Sequence, residues 1–317
     1  MRLDPTVSIS CTTYNHANFI KSCLEGFLMQ QTSFEFEILI HDDASTDETQ
    51  DIIKAYQQKH PTIIKPIFQT ENQYSKGVRG IMPRFNFPRA QGKYIALCEG
   101  DDYWTDPLKL QKQVDFLEEN EEYSMCFHKV NLIYPDNSII EDNITKVPVK
   151  YESIEDLAEK GNYIHTPSVM FTRQELILPK EMYLSPVGDF FLYMIISRNE
   201  KIGYLEEIMA VYRVGSGIWS TKSSYVRNLN TNYCFALLVK TNLFTGKVNQ
   251  ILINRIEIFL RRFENELKSK DLLLLSLNEN LTNKILQSLL DLYESEKMKT
   301  NKSIIFQLKK CVKRVLK

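Results

Sequence analysis

The sequence predicts an α/β protein, a parallel-sheet domain followed by a helical extension. Three observations predict it. Short apolar strand-like runs alternate with helix-period segments over roughly the first 120 residues. A polar cluster follows three of those strands: TTYN at 12–15, DDAST at 42–46 and EGDDYW at 99–104. Beyond about residue 225, Leu, Ile, Asn and Lys recur at helical spacing with no proline.

TVSISCTTYN reads as a strand over Val7–Thr12 opening into a loop at Thr13–His16. Phe19, Ile20, Cys23, Leu24, Phe27 and Leu28 then follow a helical period to about Gln31. The unit repeats: Ile38, Leu39 and Ile40 form a strand, and a helix is expected from about Thr46 to His60. Ser45 and Glu48 have capping-box spacing, and Asp47 and Glu48 lie where a helix dipole favours negative charge. A strand over Ile63–Phe68, a loop and a helix lead to the strand Tyr94–Cys98, which ends in Glu99, Gly100, Asp101 and Asp102. A further helix is expected from near Pro107 to about Asn120.

The chain of 317 residues is 43% hydrophobic and 25% charged, ordinary for a globular protein. A formal net charge of -1 argues against a general nucleic-acid binder. The six cysteines are scattered without CxxC spacing, and several fall in apolar runs, as reduced buried thiols do. No cationic leader with an apolar core and no apolar run of about 20 residues is visible, so a cytoplasmic protein is expected.

Open α/β sheets bind ligands at the carboxyl ends of their strands, where the three polar clusters would converge. DDAST could simply lead into a helix, and TTYN could be an ordinary turn. EGDDYW is different. A turn needs one Asp or Gly, not three acids around a glycine followed by two large rings. Acidic oxygens so grouped suit Mg²⁺ or Mn²⁺, and a divalent ion carrying a diphosphate is the positive partner they imply.

VSISCTTYN, FEILIHDDASTDET, RAQGKYI and EGDDYWTDPLKLQKQ, in this order and spacing, resemble the nucleotide-sugar glycosyltransferases of family 2. The resemblance is close over about residues 5–120 and looser to about 220. It implies a GT-A fold, a Rossmann-like domain with a mixed central sheet, over residues 1–222; the helical spacing that follows sets residues 223–317 apart as a C-terminal helical region. It implies inverting transfer of a sugar from a nucleoside diphosphate, with UDP expected, to a hydroxyl of a cell-surface glycan or lipid-linked acceptor. Thr12 and Tyr14 would hold the base, Asp43 would accept from its N–H, Asp101 would reach the ribose and Asp102 the metal. Arg84 would approach the diphosphate, with Lys76, Arg79 and Arg89 as competitors. Asp189, at the mouth of the apolar helix DFFLYMII, matches the catalytic base; it could also cap that helix. Asp142, Glu152 and Glu181 are the reserve candidates.

One position departs from the family pattern. Gly215 stands in VYRVGSGIWS where relatives often carry a histidine near the phosphates. His16, His41 and His165 each read as packed or solvated, so the leaving group would rest on the metal and on Arg213, Ser216 or Ser220. Trp219 could cover the sugar. The tail from Lys297 to Lys317 pairs lysines with helically spaced Ile304, Ile305, Leu308, Val312 and Val315. It reads either as a solvated helix end or as a basic amphipathic helix touching anionic membrane at the inner face of the plasma membrane. The helical region would pack on the catalytic domain or on a second copy of the chain. The competing readings are a nucleotidyltransferase, whose Gly/Arg/Lys-rich N-terminal loop CTTYNHANF lacks, and a nucleotide-sugar-binding protein without catalysis.

Overall fold

The computed structural model describes residues 4–173, 176–217 and 219–268. They divide into two compact units. One runs to Leu178 and adds Leu192–Thr221; the other comprises Pro179–Phe191 and the residues from Lys222 onward. The tail from Lys297 lies outside the described residues.

The first unit is built on nine strands. β1 (Val7–Thr13), β2 (Phe36–Asp42), β3 (Ile64–Phe68) and β4 (Tyr94–Glu99) are parallel, with β1 between β2 and β4. β5 is Tyr103–Trp104, β6 Tyr123–Ile133, β7 Ile139–Glu141, β8 Met170–Thr172 and β9 Lys201–Arg213. β8 runs antiparallel between β4 and β6, β6 pairs parallel with β9, and β5 and β7 pair antiparallel with β9 and β6. The sheet is therefore mixed, the GT-A arrangement that the sequence resemblance implies. Its strands β1, β2 and β4 are buried on both faces, which explains why they read as apolar runs, while the edge strand β3 is only partly buried.

Helices α1 (Ile20–Leu28), α2 (Thr49–Lys59), α3 (Lys109–Glu119) and α4 (Ile154–Lys160) also belong to this unit. Ile20, Cys23, Leu24 and Phe27 of α1 enter one core with Val7, Ile9, Cys11, Ala96 and Cys98. A glycine lets α1 come close to β5: a Cβ on Gly26 would stand 2.9 Å from both the N and O of Trp104. The five cysteines among the described residues are free and buried.

Two local expectations are corrected. The helix expected between β3 and β4 is one π-helical turn, Met82–Asn86, followed by a 3-10 turn, Phe87–Arg89. Pro83 and Pro88 lack the N–H groups a regular α-helix needs there. α2 begins at Thr49 rather than Thr46, and the Ser45–Glu48 capping box does not form. Those side chains are spent elsewhere: Ser45 Oγ donates to Asp42 Oδ2 at 2.5 Å, and Asp47 Oδ1 accepts from the Thr49 N–H at 3.1 Å.

In the second unit, α6 (Ser224–Lys240) packs against α7 (Gly246–Lys268). α5 (Gly188–Ile196) starts in this unit, with Phe190 edge-on to Phe235 of α6. Among the described residues no helix is long and apolar enough to cross a membrane.

Candidate functional site

The acids of EGDD stand where β4 ends and the chain turns into β5. The turn closes through Gly100 N–H to Thr12 O at 2.9 Å and Asp102 N–H to Glu99 O at 3.1 Å. A Cβ on Gly100 would lie 2.7 Å from Thr13 Oγ1 and 3.1 Å from His16 Nδ1, so only glycine lets the turn approach the first loop this closely.

Both aspartates are buried, at 5% exposure for Asp101 and 1% for Asp102. β9 and the residues after it supply their partners. The backbone N–H of Arg213 donates to Asp102 Oδ1 at 2.7 Å, Arg213 Nε donates to the Asp101 carbonyl at 2.9 Å, and Ser216 Oγ donates to Asp101 Oδ2 at 2.6 Å. Asp101 Oδ1 and Asp102 Oδ2 are left buried with no hydrogen-bond partner. Glu99, Asp101 and Asp102 each offer an oxygen within 4.8 Å of the others. Burial pushes the Asp102 carboxyl well above the usual carboxylate range, and the charges of Asp101 and Glu99 raise it further. Orphaned buried oxygens among like charges are costly unless a positive charge offsets them. An all-carboxylate set of this kind fits a hard divalent cation.

The first and second loops are stitched together. Asn15 and Ala44 both take the left-handed backbone conformation, at φ 55° and 63°. Asn15 Oδ1 accepts from the Thr46 N–H at 2.8 Å, Asn15 N–H donates to Ser45 Oγ at 2.9 Å, and Asp43 N–H donates to Thr13 O at 3.0 Å. Thr12, one residue before the end of β1, is in register with His41 and Glu99. Tyr14 presents its ring with 40% exposure.

The neighbouring acids of DDAST do different jobs. Asp42 ties the turn, accepting from Ser45 and from Gln50 Nε2. Asp43 reaches across to a third loop, accepting the N–H groups of Gln73 at 2.8 Å and Tyr74 at 3.0 Å, one on each oxygen. Each oxygen keeps a lone pair for another donor. The Arg79 guanidinium lies 4.2 Å over the Tyr74 ring.

Among the basic candidates, Arg89 is committed to the scaffold. It donates to Lys65 O at 2.6 Å, Ile40 O at 2.9 Å and Asn86 Oδ1 at 2.9 Å, and burial lowers its pKa to about 10. Lys76 pairs with Glu71, and Arg79 donates to Tyr74 O and Val78 O. Arg84, in the π-helical turn, sends its Nε to Arg79 O at 3.0 Å.

His16 is the residue that sequence reasoning set aside. Its Nε2 stands 4.0 Å from Asp101 Oδ2, its Nδ1 is buried without a partner, and burial lowers its pKa. Its signal was its place next to Asn15 in the loop leaving β1. The other two are packed, as expected: His41 stacks on Phe85 at 4.4 Å, and His165 pairs with Asp142 at 2.9 Å. Asp142 also accepts from Ile144, Thr145 and the Thr145 hydroxyl, and its pKa falls to about 2. Ser220 donates to Gly217 O within its own turn, whereas Ser216 also reaches Asp101. Trp219 is 37% exposed.

Asp189 lies in the second unit. It stands in the first turn of α5, one residue inside the helix rather than at its cap. Its negative charge acts on the buried thiol of Cys234, whose pKa burial has already pushed up to about 12.

The model of the family described as glycosyl transferase family 2 matches residues 8–177. An uncharacterized protein of Mycobacterium tuberculosis is 38% identical over 216 residues, 67% of this chain and 60% of that protein. The chain thus spans about 60% of that relative's length. The Escherichia coli UDP-Glc:alpha-D-GlcNAc-diphosphoundecaprenol beta-1,3-glucosyltransferase WfaP is 38% identical over 112 residues, 35% of this chain and 41% of that one. In fold, the chain is similar to Staphylococcus aureus TarS crystallised with UDP-GlcNAc, with a TM-score of 0.65 at 20% identity over 91% of this chain and 81% of that one.

Proposed function

This chain belongs to glycosyl transferase family 2, and from that premise we propose that it moves one sugar from a UDP-sugar to a hydroxyl of a cell-surface glycan or lipid-linked acceptor, with inversion. One observation carries the reading: two buried carboxylate oxygens, of Asp101 and Asp102, point into the site without a partner. Asp102, with Glu99 and Asp101 beside it, would hold Mg²⁺ or Mn²⁺. Such an ion supplies Lewis-acid stabilisation to the departing diphosphate.

The chain's own residues do the rest. Tyr14 lies flat against the base, Thr12 and Asp43 hold its edge, and Asp101 takes the ribose hydroxyls. Arg84 and Arg213 bring positive charge to the diphosphate in the place of the absent histidine. Asp189 takes the proton of the acceptor hydroxyl as it attacks from the face opposite the nucleotide. The UDP-GlcNAc held by TarS and the UDP-Glc in the name of the Escherichia coli relative support the choice of uridine. The diphosphoundecaprenol in that name supports a lipid-linked acceptor.

A panel of nucleotide sugars, screened by thermal stabilisation with Mn²⁺ and with chelator, tests this. UDP-sugars should raise Tm only with the metal, and Asp102→Ala should abolish the rise while the fold persists. Equal UDP affinity in wild type and Asp102→Ala, with Mn²⁺ present, would sink the assignment.

A further inference from the structure

Behind the acidic turn lies a charge that no step above uses. Lys109, the first residue of α3, is 0% exposed. Its Nζ donates to Gln113 Oε1 at 2.6 Å and stands 4.0 Å from the centroid of the Trp104 ring. Lysine is almost never fully buried unless paired. Here the partner is an indole face, the aromatic surface that best receives a cation.

Trp104 follows Asp102 by two positions, and everything around it is fixed. Its Nε1–H donates to Pro167 O at 2.9 Å, its ring meets Phe27 edge-on at 4.7 Å, and its backbone pairs with Ala210 of β9. Gln113, one turn along α3, donates to Ser168 O at 2.8 Å and to Cys126 Sγ at 3.5 Å. Lys109 therefore joins the acidic turn, α3, β6 and the Thr166–Ser168 turn at one buried point.

We propose that Lys109, as an ammonium, is a positioning residue that holds the Asp101–Trp104 turn in cation-binding geometry by pressing on the face of Trp104. The proposal rests on the metal–diphosphate reading of that turn. A methionine would fill the same volume; only a charge gives the indole contact its strength.

The charge has a pH range. Burial lowers the Lys109 pKa to about 7. The groups that face it are Cys98 on β4 and Cys126 and His128 on β6, with Asp102 acting on the same Cys98. Both thiols are pushed up to about 12, and burial and Lys109 hold His128 well below its usual range. None of these three changes charge near neutrality. Free UDP titrates alike in both measurements, so a ratio of affinities cancels its own pH dependence.

Calorimetric titration of UDP with Mg²⁺ into the full chain, wild type against Lys109→Met, tests the proposal. Wild type should bind roughly tenfold tighter at about pH 6, and the ratio should close towards one by about pH 8.5 as the ammonium is lost. A ratio that stays flat over this range overturns the role of Lys109 while leaving the donor site standing. A wild type that binds no UDP with Mg²⁺ at any pH overturns the donor site and this proposal with it. Should Lys109→Met not fold, ¹³C-lysine labelling of wild type replaces it. The buried Cε signal should titrate near neutrality and move when Mg²⁺ and UDP are added; a signal that ignores them overturns the proposal.

Discussion

Asp101 and Asp102 are adjacent in the chain and keep different company. Ser216 and the Arg213 side chain hold the first, and the Arg213 backbone holds one oxygen of the second. Because burial and neighbouring acids raise the folded-state pKa of Asp102 above its unfolded value, the folded protein keeps a proton there that the unfolded chain has lost. Without metal, stability should therefore fall as pH rises from about 4 through the raised pKa. A divalent ion takes the proton's place, so Mn²⁺ should raise Tm more at alkaline than at acid pH, measured by scanning calorimetry. An equal Mn²⁺ shift at all pH values would mean that Asp102 is not a ligand. Ser216→Ala removes one hydrogen bond to a charged oxygen. It should weaken metal-dependent UDP binding by roughly 10- to 150-fold, the equivalent of about 1.5–3 kcal/mol, with little change in Tm. Unchanged affinity would leave Ser216 a mere turn former.

At the scale of elements, the site depends on how closely loops and helices approach. α1 meets β5 across Gly26, where an added Cβ would press on backbone atoms that cannot move aside. Gly26→Ala should cost about 1–3 kcal/mol and lower Tm, and chemical denaturation would measure it. The third loop hangs on Asp43, whose two oxygens each hold a backbone N–H. Asp43→Ala frees that loop and removes the acceptor proposed for the base. UDP binding should then weaken more than binding of free diphosphate, by roughly 10- to 150-fold for the nucleotide. An equal loss for both ligands would reduce Asp43 to a loop anchor.

For the whole molecule, the residue to test is Asp189, the proposed base, which belongs to a different compact unit from the acids of the turn. A base that acts on the acceptor alone works in the transition state and adds little to donor binding. Asp189→Asn should keep UDP-sugar affinity and lower the transfer rate by roughly 10²–10⁴-fold. Turnover within a few-fold of wild type would send the search for the base elsewhere. Asp142 is a poor reserve, since a carboxylate whose pKa is about 2 and which already accepts four hydrogen bonds takes up a proton reluctantly.

The sequence by itself determined the alternation of strands and helices, the apolar faces that bury them, and the acidic turn at the end of β4. These are local matters, written in periodicity and in residue types that no ordinary turn requires. It could not show that Ser45 and Asp47 would accept the N–H groups of Asn15 and Ala17 in the first loop and leave α2 three residues shorter than its capping signal. Nor could it show that Ser216 rather than Ser220 meets Asp101, that His16 stands beside the acids, or that Lys109 is buried against Trp104. Each of those depends on partners 5 to 115 residues away along the chain. Only tertiary structure chooses among such partners, because a polar side chain that leaves water bonds to whatever packing brings within reach.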